Sequence, residues 1–153
     1  MANDSVDEIL SRAKQRAIAM KLPYAGALLP AEAYALLQRA PGARLVDVRT
    51  RPEWEYVGRF PDAVLIEWNT WPGGKPNPKF LEELESKVEK SGKPVMFLCR
   101  SGARSHSAAV AAAQAGYSAA FNVLEGFEGD KDAQGHRNSV GGWRVAGLPW
   151  TQG

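Results

Sequence analysis

Apolar residues along the chain fall into two alternating patterns, helical repeats and short unbroken runs. Residues 5–21 set Val6, Ile9, Leu10, Ala13, Ala17 and Met20 on one face, with Ser5 and Glu8 spaced as a capping box and Pro23 as the stop. A short strand is predicted at 27–29. Pro30 then opens a helix that turns Ala33, Leu36 and Leu37 inward and ends at Pro41 and Gly42. Residues 45–48, 64–66, 95–98 and 121–124 are short apolar runs that read as strands. Between them, 51–54 reads as a turn into a short helix, and 69–78, with three Pro and two Gly, as a loop. A helix over 79–90 places Phe80, Leu81, Leu84 and Val88 on one face before residues 91–94 break it. The alanine-rich stretch 103–115 is strongly helix-forming, and Gly116 suits the position just past its end.

The strand runs are continuous rather than alternating, as expected when helices cover both faces of a sheet. Strands and helices alternate in order, which predicts an α/β domain with a mainly parallel sheet. No internal repeat, low-complexity tract or linker interrupts it. The division expected is a helical extension over 1–24 and the main domain over 25–153. A chain of 153 residues with 44% hydrophobic and 24% charged residues suits one globular domain. The net charge is only +2 and the 19 basic residues are scattered, so no nucleic-acid partner is expected. No apolar run approaches a membrane span, and Asp4, Asp7 and Glu8 do not fit a secretory signal. A cytoplasmic protein without a membrane partner is the expectation.

Cysteine arithmetic sharpens the picture. Cys99 is the single cysteine, so no internal disulfide and no Cys-only metal site can form. It ends an apolar strand, and a helix starts within a few residues. Ligands in parallel sheets bind at the carboxyl ends of strands, and a helix start offers free N–H groups and the positive end of its dipole. The loop Cys99, Arg100, Ser101, Gly102, Ala103, Arg104, Ser105 can therefore curl into an anion cradle, with Gly102 for the turn and two arginines nearby. A thiol at its floor is favoured as thiolate, the nucleophilic form. The bland alternative is a packed core thiol, which is the commoner fate of a free cysteine when nothing surrounds it.

These residues resemble the active-site loop of the rhodanese family, a Cys, four residues, then an Arg or hydroxyl residue leading into a helix. Other segments agree in order. Residues 45–49 resemble the family's "LVDVR" strand, 58–63 its "GHIPGA", 122–127 its "VLxGG", and Gly142, Trp143 with 146–149 its "GW…AGLP". The resemblance implies a five-stranded, mainly parallel sheet with helices on both faces. It also implies sulfurtransferase activity without a cofactor or metal: sulfane sulfur passes from thiosulfate to Cys99 as a persulfide, then to cyanide, a thiol or an acceptor protein. Cys99 is then catalytic, and Arg100, Ser101, Gly102, Ala103, Arg104 and Ser105 bind the donor. Two basic residues in the loop suit the thiosulfate dianion better than mercaptopyruvate.

Asp47, Arg49 and Arg59 are supporting candidates. Asp47 reads as a loop anchor, because a strand-end carboxylate needs partners and sulfur transfer has no strict need for a general base. Arg59 stands where the family has His, and Asp62 where it has Gly. Ser101 and Ser105 either donate to the anion or cap the helix. His106 reads as a helix-surface residue. The polar insertion 128–141 is expected to border the pocket, with Trp68, Trp71 and Trp143 at its rim. Its calcium-like start lacks the final Glu, and His136 lacks a partner at metal spacing. Two rivals remain. One is a persulfide carrier or interaction module fed by another donor. The other is a cysteine phosphatase or arsenate reductase, which has five rather than four residues between Cys and Arg.

Overall fold

The computed structural model describes residues 4–153; residues 1–3 of the expected extension 1–24 lie outside the described residues. Ser5 and Glu8 make the capping box, each side chain bonding the other's backbone N–H, at the start of α1 (Val6–Met20). The chain then runs through β1 (Gly26–Leu28), α2 (Pro30–Arg39), β2 (Arg44–Asp47), a π-helical turn (Glu53–Val57) and β3 (Val64–Leu65). It finishes with α3 (Phe80–Lys87), β4 (Val95–Leu98), α4 (Ala103–Gln114) and β5 (Ala120–Val123).

All pairings are parallel, in the order β1-β5-β4-β2-β3. Successive strand residues face opposite layers. Val46, Val95 and Phe97 join Phe80, Leu84 and Ala112 on one side. Leu45, Met96 and Leu98 join Ile9, Leu36 and Trp143 on the other. Both faces are thus covered, which is why the strands read as unbroken apolar runs. The chain moves outward from β2 to β3 and, later, the opposite way from β4 to β5. A crevice therefore opens at the carboxyl ends of β2 and β4, the switch point where parallel sheets bind ligands.

Helix α1 docks on β1 closely enough that a Cβ on Gly26 would lie 2.8 Å from the Ala13 backbone. Beside it, the fully buried Glu32 carboxylate accepts from Arg16 at 2.6 Å, Arg12 at 3.0 Å and the Leu29 N–H at 2.8 Å. Burial opposes its ionisation, but Arg16, Leu29 and Arg12 together hold the carboxyl below its usual range.

Several expectations shift at element ends. Met20, in the last turn of α1, is 51% exposed. Leu81 is exposed as well, and α3 is shorter than the predicted 79–90, so the buried face is Phe80 and Leu84, with Val88 just beyond the helix. Leu37 is half-buried. The turn expected at 51–54 becomes the π-helical turn, with Trp54 buried.

Candidate active site

Strand β4 delivers Cys99 to the crevice, and α4 begins at Ala103 after a turn that Gly102 makes at φ 118°. Few side chains tolerate that conformation, so glycine is required. Among the described residues two groups hydrogen-bond the sulfur. The Gly102 N–H donates to Sγ at 3.1 Å, and the Ser105 hydroxyl lies 3.2 Å from it. The first-turn N–H groups of 103–105 have no carbonyl to meet within the helix, so that end of α4 stays electropositive. Ser101 is half-buried and Ala103 exposed.

The back of the loop is clamped. Cys99 and Arg100 carbonyls accept from the N–H groups of Phe127 (2.8 Å) and Glu128 (3.0 Å). The turn that supplies these donors is pinned in turn, since the Gly142 N–H donates to the Glu125 carboxylate at 3.0 Å and Trp143 N–H to the Gly126 carbonyl at 2.8 Å.

Arg104 does not stand free. Its guanidinium forks onto the Glu53 carboxylate at 2.8 and 3.0 Å, and Glu53 also accepts from the N–H and hydroxyl of Thr50. Burial works against the charged carboxyl, yet Arg104 and Thr50 outweigh it and hold Glu53 down at about 2. The fork therefore couples the start of α4 to the turn after β2. Arg100, by contrast, is exposed and has no side-chain partner among the described residues. A depression of about 650 Å³ opens here, lined by Thr50, Pro52, Glu53, Trp71, Arg100 and Arg104, together with Asn69 and two glycines. Cys99 is 1% exposed and does not line this depression.

A pH-dependent stability follows from the fork. Glu53 falls from an ordinary 4.5 to about 2 in the fold, so its contribution is complete above pH 4.5 and is lost as pH falls through 2. That shift corresponds to about 3 kcal/mol at most. Glu53→Gln is expected to lower stability at pH 7 by about 2 kcal/mol and to flatten the acid decline between about pH 5 and 2. Denaturant unfolding across that range checks it; parallel wild-type and variant curves would rule the fork out as the cause.

None of the supporting candidates lines the depression. Asp47 and Arg49 are fully buried and form a two-point ion pair at 2.7 and 2.9 Å; Arg49 also donates to the Gly58 carbonyl at 2.7 Å and stacks on Phe127. Arg59 donates to the Trp54 carbonyl at 3.3 Å and pairs its backbone with Thr151. It is not part of the depression's lining. His106 is half-buried with Nδ1 2.7 Å from the Tyr24 hydroxyl, not against the sulfur. Two expectations about the rim need correction. Trp71 alone of the three tryptophans lines the depression, since Trp143 is fully buried against Phe60 and Tyr34, and Trp68 packs on Phe80. Residues 128–141 contribute nothing to the lining, because hydrogen bonds hold the start of this segment against the back of the loop.

Nothing in the loop motif points to Glu53 or Asn122, though both carried a signal. Thr50 and Glu53 have the same spacing as the box at Ser5 and Glu8. Asn122 is the polar residue inside an apolar strand, and a buried amide demands partners. Its Oδ1 accepts from Ser105 at 2.5 Å and its Nδ2 donates to the Gly102 carbonyl at 3.2 Å.

The fold and site define a parallel α/β domain that seats one cysteine in a short anion-type loop at the sheet's switch point. The model of the rhodanese-like domain matches residues 29–133, and the chain belongs to that family. An uncharacterized protein of Rickettsia conorii is 35% identical over 124 residues, covering 78% of this chain and 91% of its own. The crystal structure of Rv0390 from M. tuberculosis is 47% identical, with a TM-score of 0.78 over 85% of this chain and 99% of that one. The polysulfide-sulfur transferase homodimer of Wolinella succinogenes shares the fold at 23% identity, TM-score 0.59, over 98% of this chain and 94% of its own. Among the described residues no helix is long and apolar enough to cross a membrane.

Proposed function

We propose that this protein is a thiosulfate sulfurtransferase working through a persulfide on Cys99. The observation that carries the reading is the sulfur's seat, Sγ beneath the Gly102 N–H and the Ser105 hydroxyl at the amino end of α4. In the first step the thiolate attacks the sulfane sulfur of thiosulfate. A Cys99 S–S bond forms, the S–S bond of thiosulfate breaks, and sulfite leaves with the electron pair. In the second, cyanide or a thiol attacks the outer sulfur and the Cys99 thiolate is released. This is covalent catalysis with electrostatic support for the departing anion.

Charge in the mouth is less one-sided than the loop motif suggests. Arg104 is neutralised by Glu53, so Arg100 is the cation left to draw in the dianion. A protein thiol is the proposed acceptor in the cell, with the cytoplasm as the proposed site of action. Residues 100–105 are proposed to receive the donor, and Asp47, Arg49 and Arg59 to hold the surrounding loops.

Intact mass after incubating the reduced protein with thiosulfate, then with cyanide, tests the cycle. A gain of one sulfur atom that cyanide removes is the expected result. No gain with thiosulfate, but a gain from a persulfidated donor protein, would make the chain a carrier instead. A phosphatase role is disfavoured by the four-residue spacing and by the commitment of Arg104 to Glu53.

A further inference from the structure

Asn122 does not touch the sulfur, yet it hydrogen-bonds both residues that do. It lies in β5, 4% exposed, and its amide orientation is determined. Nδ2 donates to the Gly102 carbonyl, so turning the amide over would set two carbonyl oxygens against each other. Oδ1 must then face Ser105, whose hydroxyl donates to it at 2.5 Å. The Tyr24 phenol, itself bonded to His106, interacts with the same amide.

With its proton spent on Asn122, the Ser105 hydroxyl turns a lone pair toward Cys99. That suits a neutral thiol, whose S–H donates to Ser105 Oγ. A thiolate or departing sulfur has no proton to give and calls for a donor. Ser105 then rotates its hydroxyl toward Sγ and releases Asn122. We infer that Asn122 is a positioning residue for the sulfur chemistry: by holding the Ser105 proton it tempers stabilisation of the thiolate and keeps Cys99 reactive as a nucleophile. The kinetic consequence rests on the persulfide cycle proposed above; the hydrogen-bond switch does not.

Other charged groups around Cys99 are the same in every variant considered. Arg104 of α4 is paired with Glu53 of the π-helical turn, and Asp47 at the end of β2 with Arg49. Arg100 lies in the loop, and His106 of α4 faces Tyr24.

The alkylation rate of the reduced full chain by iodoacetamide, followed against pH, tests the inference. Asn122→Leu frees the hydroxyl for the thiolate, so its alkylation midpoint moves to lower pH. Ser105→Ala removes the donor, so its midpoint moves to higher pH. Each shift is expected to be about one pH unit. The double variant follows Ser105→Ala, and Ser105→Thr keeps the wild-type midpoint. If sulfur passes through Cys99, discharge of the persulfide to cyanide speeds up about threefold in Asn122→Leu and slows by a similar factor in Ser105→Ala, because leaving ability follows thiolate stability. Asn122→Val, a better strand former, replaces Asn122→Leu if that variant does not fold cooperatively on heating. Midpoints that move the same way in both single variants, or an Asn122 variant that folds and does not move, would overturn the inference. Alkylation needs no sulfur donor, so this outcome is independent of whether thiosulfate loads the protein.

Discussion

Cys99→Ser is expected to lower sulfur transfer from thiosulfate at least about 1,000-fold while leaving the fold intact. The loss is chemical. The proposed cycle forms an S–S bond at this atom, and a serine hydroxyl is neither ionised at neutral pH nor able to form a persulfide. The fold survives because the replacement is close in size and its hydroxyl inherits the partners of the sulfur, the Gly102 N–H and the Ser105 hydroxyl. Cys99 is 1% exposed among apolar neighbours, so a small loss of thermal stability is expected from burying a more polar atom. Sulfite release and intact mass read the first effect, and thermal unfolding the second. Residual transfer above about 0.1% of wild type would mean that another group accepts the sulfur.

How far such chemistry was legible in the chain varies by element. Cys99 was legible because a polar, arginine-bearing loop follows the clearest apolar strand, and because local rules alone place a helix start beside it. The covered sheet was legible because β4 and β5 carry no polar alternation. What escaped detection depends on contacts between distant segments. Glu53 and Arg104 are 51 positions apart, and only the crevice between β2 and β4 makes them a pair. Ser105 and Asn122 meet across α4 and β5 in the same way. The role assigned to 128–141 failed for a related reason. Polarity and glycine content signal a surface loop, but which side of the Cys99 loop it covers is set by hydrogen bonds from Phe127 and Glu128 that local sequence does not encode. The tryptophans divide by packing alone: Trp71 sits on an exposed loop, and Trp143 fills the second core.

These contacts tie the π-helical turn into the support of the Cys99 loop. Glu53 and Thr50 tie it to Arg104, while Arg49, paired with Asp47, donates to Gly58 just past its end. One wall of the depression is thereby fixed to the end of β2 and the start of α4 together. Among the residues lining the depression, Arg100 is the cation without an acidic partner, since Arg104 is matched by Glu53.

The back of the Cys99 loop depends on a residue with no side chain. Gly126 sits at φ 67°, and a Cβ there would lie 2.5 Å from the Arg100 backbone and 2.6 Å from the Cys99 carbonyl oxygen. No flexible side chain can yield, because the atoms in the way belong to the backbone of Cys99 and Arg100. Gly126→Ala therefore faces two costs, the left-handed conformation and the displacement of residues 99 and 100, together about 3–5 kcal/mol. The displacement reaches the chemistry. The Cys99 carbonyl would lose the Phe127 N–H at 2.8 Å, and Sγ would shift relative to the Gly102 N–H that supports it. A movement of about an ångström at a reacting atom costs on the order of 100-fold in rate. Gly126→Ala is thus expected to lower both the unfolding midpoint and the rate of persulfide formation, the second by about 100-fold measured well below that midpoint. Gly135→Ala is the control: its φ is also positive, at 81°, but a Cβ there meets nothing within 4 Å, so it carries the conformational cost without the clash. If Gly135→Ala slowed loading as much as Gly126→Ala does, contact with the Cys99 loop would not be the cause.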